Sequence, residues 1–493
     1  MFRARNRRPA SAIAFVLVTC WLAPNAGRAE WHALSALEQS GARVSAAAID
    51  LSDNSVIQQL NSDVRLTPAS LTKLTVAASA LSVWPADKMF KTQLLAAGSI
   101  GDHRLNGDLY LVGAGDPSLT GENLLALAAQ FKSAAVTSVT GQLIVVPAPF
   151  ASVKCETKDR CDAAVRSATA YDAPLASIGT DFGTWCVDVR ATAVGKPATV
   201  TGCTTRLPIP VQGTVQTTKD SKGTPLRVER ATSSNAEDNL RVGGTIEEGT
   251  SQHVYRAMSN PALGAGMLLN ASLQDMGIEV TGGVLVKDGI PPSSAFAVAT
   301  TTGLTLKEQL GRMLRFSNNY IADVLTLTMA ADIGDKSPAS LSDASKTLSN
   351  FMVQTQGKHK QGRSSPPPLY SGSGLTPENE LSANDLVRLL SYEYRDTRNF
   401  GPFYGGLVVP RQSPFIFLRN GSAGWQDRIA LKTGTMDDPH SVCGMAGFLR
   451  KKDGGWITFA VIVNGGTTQM RHVPLYKALE AIRTDIEQLL TRY

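Results

Sequence analysis

The period of apolar and polar positions changes along this chain, and the changes mark out its elements. Arg43 to Leu51 and Ser55 to Leu60 are short apolar-rich runs broken by Ser52-Asp53-Asn54, a pattern that predicts a hairpin. Leu71 to Trp84, rich in Ala and Leu, predicts a helix. Leu304 to Phe316 and Tyr320 to Met329 carry helical patterns on either side of Ser317-Asn318-Asn319. At the far end, Arg428 to Thr435, Val442 to Leu449 and Trp456 to Asn464 read as consecutive strands, with Lys451-Lys452-Asp453-Gly454-Gly455 as the last turn. An amphipathic helix follows from about Pro474 to Leu490.

Two strands at the start and three at the end can join into one antiparallel sheet, with the first and last helices covering a face. Such a domain is closed by both termini, and the middle of the chain is inserted into it. The middle holds four of the six cysteines, and after Gly183 it is dense in Thr, Val, Gly and Pro, the composition of short strands and turns. At 493 residues the chain exceeds one ordinary core. The expected class is α+β, an antiparallel sheet flanked by helices with a large, mostly β inserted region. The expected division is 30–95 and 295–493 for the sheet-bearing domain and 96–294 for the insertion.

Charge enters through the first residues. Arg3, Arg5, Arg7 and Arg8 precede an apolar stretch from Ala12 to Ala23, and Gly27-Arg28-Ala29 supplies small residues for cleavage before Glu30. Residues 1–29 therefore read as a signal peptide, with an uncleaved anchor as the alternative. Net charge is +6, and five of the arginines lie in this leader. Without them the balance is close to even, so the basic pI is no nucleic-acid footprint. An exported product with no further membrane span is expected. In an oxidising compartment Cys155, Cys161, Cys186 and Cys203 suggest two disulfides, of which Cys155–Cys161 and Cys186–Cys203 are the local pairings. Zinc is the competing use of these cysteines, but their spacings are not of the Cys-x-x-Cys type. Cys443 sits in an apolar run and reads as a core thiol.

Three short motifs carry the chemistry. Ser70-Leu71-Thr72-Lys73 opens the first predicted helix after Pro68, so Lys73 returns to the face of Ser70 one turn later. A serine hydroxyl is a weak nucleophile until a neighbour accepts its proton, and a desolvated lysine can do so. Ser317-Asn318-Asn319 lies between two helices, where such residues ordinarily act as caps. In the functional reading, Ser317 relays a proton to a leaving amine and the Asn319 amide orients Lys73 and substrate. Lys432-Thr433-Gly434-Thr435 falls on a predicted strand. There Thr433 and Thr435 would bind a carboxylate, Lys432 would supply positive potential, and Gly434 would leave clearance for a peptide backbone. The backbone N–H groups of Ser70 and Thr435 would form an oxyanion hole. Each motif is weak singly, but their order and placement are specific. No phosphate-binding loop is present, the six histidines show no metal-binding spacing, and neither a cofactor nor a metal is expected.

With these motifs the chain resembles the D-alanyl-D-alanine carboxypeptidase/endopeptidase family, the low-molecular-mass class C penicillin-binding proteins. Gly107 to Leu119 resembles a segment that this family carries early in its insertion, and Ser371-Gly372-Ser373-Gly374-Leu375-Thr376 resembles its Asp-Gly-Ser-Gly-Leu-Ser loop, with Ser371 in place of Asp. The resemblance implies a penicillin-binding/beta-lactamase-like transpeptidase domain in a periplasmic serine DD-peptidase. That enzyme would act on peptidoglycan stem peptides, and beta-lactams would inhibit it covalently. Ser70 would be acylated by the penultimate D-Ala, and Met436 would line the pocket for the substrate's side chain. Asp437-Asp438 could meet the free amine of that side chain or form a solvated turn. A beta-lactamase of the same fold and a catalytically silent wall-binding protein are the alternatives. The large insertion argues against the first and the intact motif set against the second.

Overall fold

The two ends of the chain meet in one sheet. In the computed structural model, which describes residues 31–150, 153, 169–220, 222–232, 237–334, 338–356, 365–466 and 470–493, five strands lie side by side. Their order is Ile429–Met436, Val442–Arg450, Trp456–Asn464, Arg43–Asp50 and Val56–Leu60, with every neighbouring pair antiparallel. Lys432 faces Ala446, Ala446 faces Ala460, and Ala460 faces Ala47.

Side chains alternate between the faces of a strand, and here each face has its own core. Ala46, Ala48, Met445 and Val461 pack with Ile482, Ile486 and Leu489 of the terminal helix, Leu475–Arg492. Ala47, Ala446 and Ala460 pack instead with Leu74 and Ala77 of helix Thr72–Val83 and with Leu386 and Leu390 of helix Ala383–Arg395. Burial on both faces is why Val442–Leu449 reads as a continuous apolar run and not as an alternation. It also corrects one expectation, because the first and last predicted helices cover opposite faces. The terminal helix is joined on its face by a short helix that the pattern did not reveal, His32–Gln39. Asp485 accepts from the backbone N–H groups of Ala33 (3.0 Å) and Leu34 (2.9 Å), satisfying donors that a helix start leaves free.

The middle of the chain builds a second sheet of seven strands, whose longest members are Lys91–Gly101, Arg104–Gly113 and Phe296–Thr302. Helices Gly121–Lys132 and Pro261–Asp275 share its core through Leu124, Leu127, Leu269 and Leu273. Three small sheets complete this part. Cys186 and Cys203 form a disulfide there, with 5.5 Å between their Cα atoms, whereas Cys155 and Cys161 lie outside the described residues, as does the leader. No helix among the described residues is long and apolar enough to cross a membrane.

Candidate active site

Ser70 sits in a single 3-10 turn, Ala69–Leu71, that runs into helix Thr72–Val83. Ala69 has φ +47°, a conformation that costs a residue with a Cβ about 1–3 kcal/mol. Tight packing holds it. A Cβ on Gly374 would come within 1.9 Å of the Ala69 carbonyl oxygen, so only glycine lets that loop approach the turn. One helical turn past Ser70, the fully buried Lys73 donates from Nζ to Ser70 Oγ at 2.9 Å.

The middle motif divides its labour. Asn318 caps helix Asn319–Ile333 by accepting from the Ile321 N–H at 2.9 Å. That leaves its two neighbours for the cleft. Ser317 adopts the left-handed conformation that ends helix Leu306–Phe316, and its Oγ accepts from Lys432 Nζ at 3.0 Å. Asn319 points its Oδ1 at Lys73 Nζ (2.8 Å), and its Nδ2 donates to the Tyr171 carbonyl at 3.3 Å. The side-chain capping role thus falls to Asn318, while the side chains of Ser317 and Asn319 turn to the two lysines.

Strand Ile429–Met436 is at the edge of the five-stranded sheet. Leu431 exchanges both backbone hydrogen bonds with Val408, outside the sheet, at 2.8 and 2.9 Å. Backbone direction in an antiparallel strand repeats every second residue, so the N–H and C=O groups of Thr433 and Thr435 also point outward, past the end of the Val408 contact. Among the described residues, no backbone hydrogen bond covers this edge beside Ser70. Thr433, Thr435 and Met436 line a cleft of about 500 Å³ together with Ser70, Ser317 and Asn319. Gly434 is not among the residues that line it. A Cβ at Gly434 would meet the Pro68 carbonyl at 2.6 Å, so the missing side chain admits the turn before Ser70.

Lys432 is buried, and its ammonium donates to two neutral oxygens, Ser317 Oγ and the Thr433 carbonyl (2.7 Å). Burial pushes its pKa from 10.5 down to about 7. Ser70 has Lys73, and among the described residues no histidine, as its hydrogen-bond partner. Of the acidic pair after the third motif, Asp438 lines the cleft, as do Phe415, Phe417 and Tyr171, which the sequence reading did not single out. It also missed the backbone carbonyl of Ser373, which accepts from Lys73 Nζ. The resemblance drew attention to that loop, but a carbonyl carries no side-chain signature. Cys186, Cys203 and His253 are grouped closely enough to hold a metal, although the two sulfurs are already joined to each other. Cys443 is a buried free thiol, pushed up to about 12 by burial, as a core cysteine should be.

A hydroxyl, two buried amines and an open strand edge, set between an antiparallel sheet and a helical layer, define the penicillin-binding and beta-lactamase-like class of α+β fold. Within it the chain belongs to the D-Ala-D-Ala carboxypeptidase 3 (S13) family, whose model matches residues 31–485. It is 27% identical over 448 residues to the D-alanyl-D-alanine carboxypeptidase of Actinomadura sp. (strain R39), covering 86% of this chain and 78% of that one. To the D-alanyl-D-alanine carboxypeptidase DacB of Haemophilus influenzae it is 23% identical over 445 residues, covering 87% and 86%. The fold is similar to the crystal structure of penicillin-binding protein 4 (dacB) from H. influenzae, with a TM-score of 0.73, 22% identity, and 93% and 99% of the two chains covered. The same protein complexed with a novel beta-lactam gives a TM-score of 0.69.

Proposed function

We propose that this family member is a serine DD-peptidase that cleaves D-Ala-D-Ala termini, and D-Ala-linked cross-bridges, of peptidoglycan through an acyl-enzyme on Ser70. One observation carries the reading. Lys73 Nζ faces three oxygens, those of Ser70, Asn319 and Ser373. A neutral amine has two N–H donors and one lone pair. If the donors go to the two carbonyl oxygens, the lone pair is left for the Ser70 hydroxyl proton, the arrangement a general base needs. Ser70 Oγ then attacks the penultimate D-Ala carbonyl, and the oxyanion meets the Ser70 and Thr435 N–H groups. The leaving amine takes a proton by way of Ser317, next to Lys432. Thr433 and Thr435 grip the terminal carboxylate, with Lys432 supplying positive potential when protonated. Water frees the enzyme by the reverse path.

Met436 belongs to the pocket for the substrate's side chain in this reading, and beta-lactams are trapped on Ser70 as slow acyl-enzymes. Export to the periplasm after loss of residues 1–29 is part of the proposal. So is the division into 30–95 with 295–493 around a 96–294 insertion, whose first crossing falls inside strand Lys91–Gly101 and whose second lies just before that strand's antiparallel partner, Phe296–Thr302. The test is labelling with a fluorescent penicillin, followed by release of D-Ala from a pentapeptide and digestion of cross-linked muropeptides. Wild type is expected to label stably and to release D-Ala, and S70A to do neither. Rapid loss of label without D-Ala release would make the protein a beta-lactamase. Absence of labelling would leave a silent wall-binding protein.

A further inference from the structure

We infer that Asp323 is a positioning residue for Lys73, acting through the Ser373 peptide; the inference rests on the Ser70 acyl-enzyme reading above. Asp323 is 2% exposed and lies four residues after Asn319 on helix Asn319–Ile333. Residues four apart share a helix face, so one face of this helix serves both carbonyl acceptors of Lys73. Asn319 does so directly. Asp323 accepts from the Ser373 N–H at 2.9 Å, while the carbonyl of the same residue, on the far side of its Cα, accepts from Lys73 Nζ.

The loop around Ser373 has little freedom of its own. Gly372 is pressed on the same helix, where a Cβ would meet Thr326 Oγ1 at 2.3 Å and the Ala322 carbonyl at 2.9 Å. Gly374 is pressed on Ala69, beside the nucleophile. At the loop's beginning, Asn379 accepts from the N–H groups of Tyr370 (2.7 Å) and Ser371 (3.2 Å), and donates to Thr72 Oγ1 at 3.3 Å. Between these supports, the Ser373 N–H donates to the Asp323 carboxylate. Losing it frees the peptide to rotate, and rotation turns the carbonyl away from Lys73. The second N–H of the neutral amine then competes with its lone pair for Ser70. A misplacement of about 1 Å in such an arrangement costs on the order of 100-fold.

The hydrogen bond, and not the bulk of the side chain, is what the position requires. Asp323→Asn keeps an acceptor of the same reach, whereas Asp323→Ala removes it and Asp323→Ser falls short of it. The experiment follows acylation by a fluorescent penicillin in time, and records separately the rate and the final moles of label per mole of protein. Positioning predicts that D323A and D323S label to full stoichiometry about 10- to 100-fold more slowly, with D323N within about threefold of wild type. A merely structural residue would instead lower the labelled fraction and leave the remainder at the wild-type rate, which would overturn the inference. Wild-type rates in both D323A and D323S would overturn it too, as would a D323N as slow as either. If D323A does not fold, D323S decides by the same two readouts. Absence of labelling in the wild type would strike at the acyl-enzyme reading itself, a different result from any of these.

Discussion

Two buried charged side chains, one in the cleft and one in the insertion, are treated in opposite ways. Asp238, 7% exposed, accepts hydrogen bonds at both of its oxygens. Trp185 Nε1 and the Ser259 N–H donate to Oδ2 at 2.9 Å each, and Arg230 Nη1 (3.1 Å) and Thr232 Oγ1 (3.0 Å) donate to Oδ1. Burial pushes its carboxyl up, but the hydrogen bonds from Ser259, Trp185 and Arg230 outweigh that push and hold it below the ordinary range. Lys432 is just as buried, yet its bonds run to neutral oxygens, and its pKa falls to about 7. A charge buried with its counter-charge is locked, and its value is structural. One buried among neutral acceptors can gain or lose its proton near neutral pH, and proton transfer needs that freedom.

The sharpest way to break this contrast is a pair of substitutions. K432M should slow acylation about 100-fold or more while raising the melting temperature, because removing a buried charge that lacks a counter-ion relieves a desolvation cost. D238N should lower stability by about 3 kcal/mol and leave the acylation rate of the folded enzyme unchanged. If both variants lose stability, or both lose activity, the two sites are not different in kind. Stopped-flow labelling and thermal melts decide it.

A smaller effect sharpens the same point through pH. Between about 7 and the ordinary 10.5, the unfolded chain carries a proton on Lys432 that the folded protein lacks. Stability from this group therefore rises with pH across that window and is lost as pH falls towards 7. Binding of a substrate carboxylate should run the other way, weakening as pH rises through about 7. Urea melts and inhibition by a D-Ala-terminated peptide, each taken from pH 6 to 10, would show both slopes, and K432M should lack them.

The smallest expected effect concerns Glu393, buried on helix Ala383–Arg395 with neither carboxylate oxygen hydrogen-bonded among the described residues. Burial, with the nearby Asp396 adding to it, pushes this carboxyl from 4.5 up to about 8. Its contribution to stability is complete below pH 4.5 and is lost as pH rises through about 8. E393Q should match wild type near pH 4, where the carboxyl is protonated folded and unfolded, and melt higher at pH 9, with activity unaltered. A melting difference that does not grow between those pH values would refute the assignment. Glu393 shows that burial can shift a pKa without building a site.

Much of the architecture was legible in the chain. The strands Arg43–Asp50, Val442–Arg450 and Trp456–Asn464 begin and end within a residue or so of the apolar runs that predict them. Alternation and run length are local properties, and a turn such as Ser52-Asp53-Asn54 declares itself. The helix His32–Gln39 was not legible, because eight residues with no side-chain cap are held by Asp485, more than four hundred positions away. Gly434 was legible as a point of close approach but not as to what approaches, since the turn before Ser70 reaches it only through the fold.

By itself the sequence determined which functional groups the protein owns and in what order: a hydroxyl and an amine one helical turn apart, a Ser-x-Asn between two helices, and a Lys-Thr-Gly-Thr strand. Only the tertiary structure decided where their protons are held. The Ser373 carbonyl beside Lys73, the Asp323 grip on that peptide and the neutral surroundings of Lys432 come from segments far apart in the chain. Every residue owns a carbonyl, and no residue type is buried by its own nature. Hydrogen-bond direction and desolvation are set by what packs around a group, so they exist only once the chain has folded.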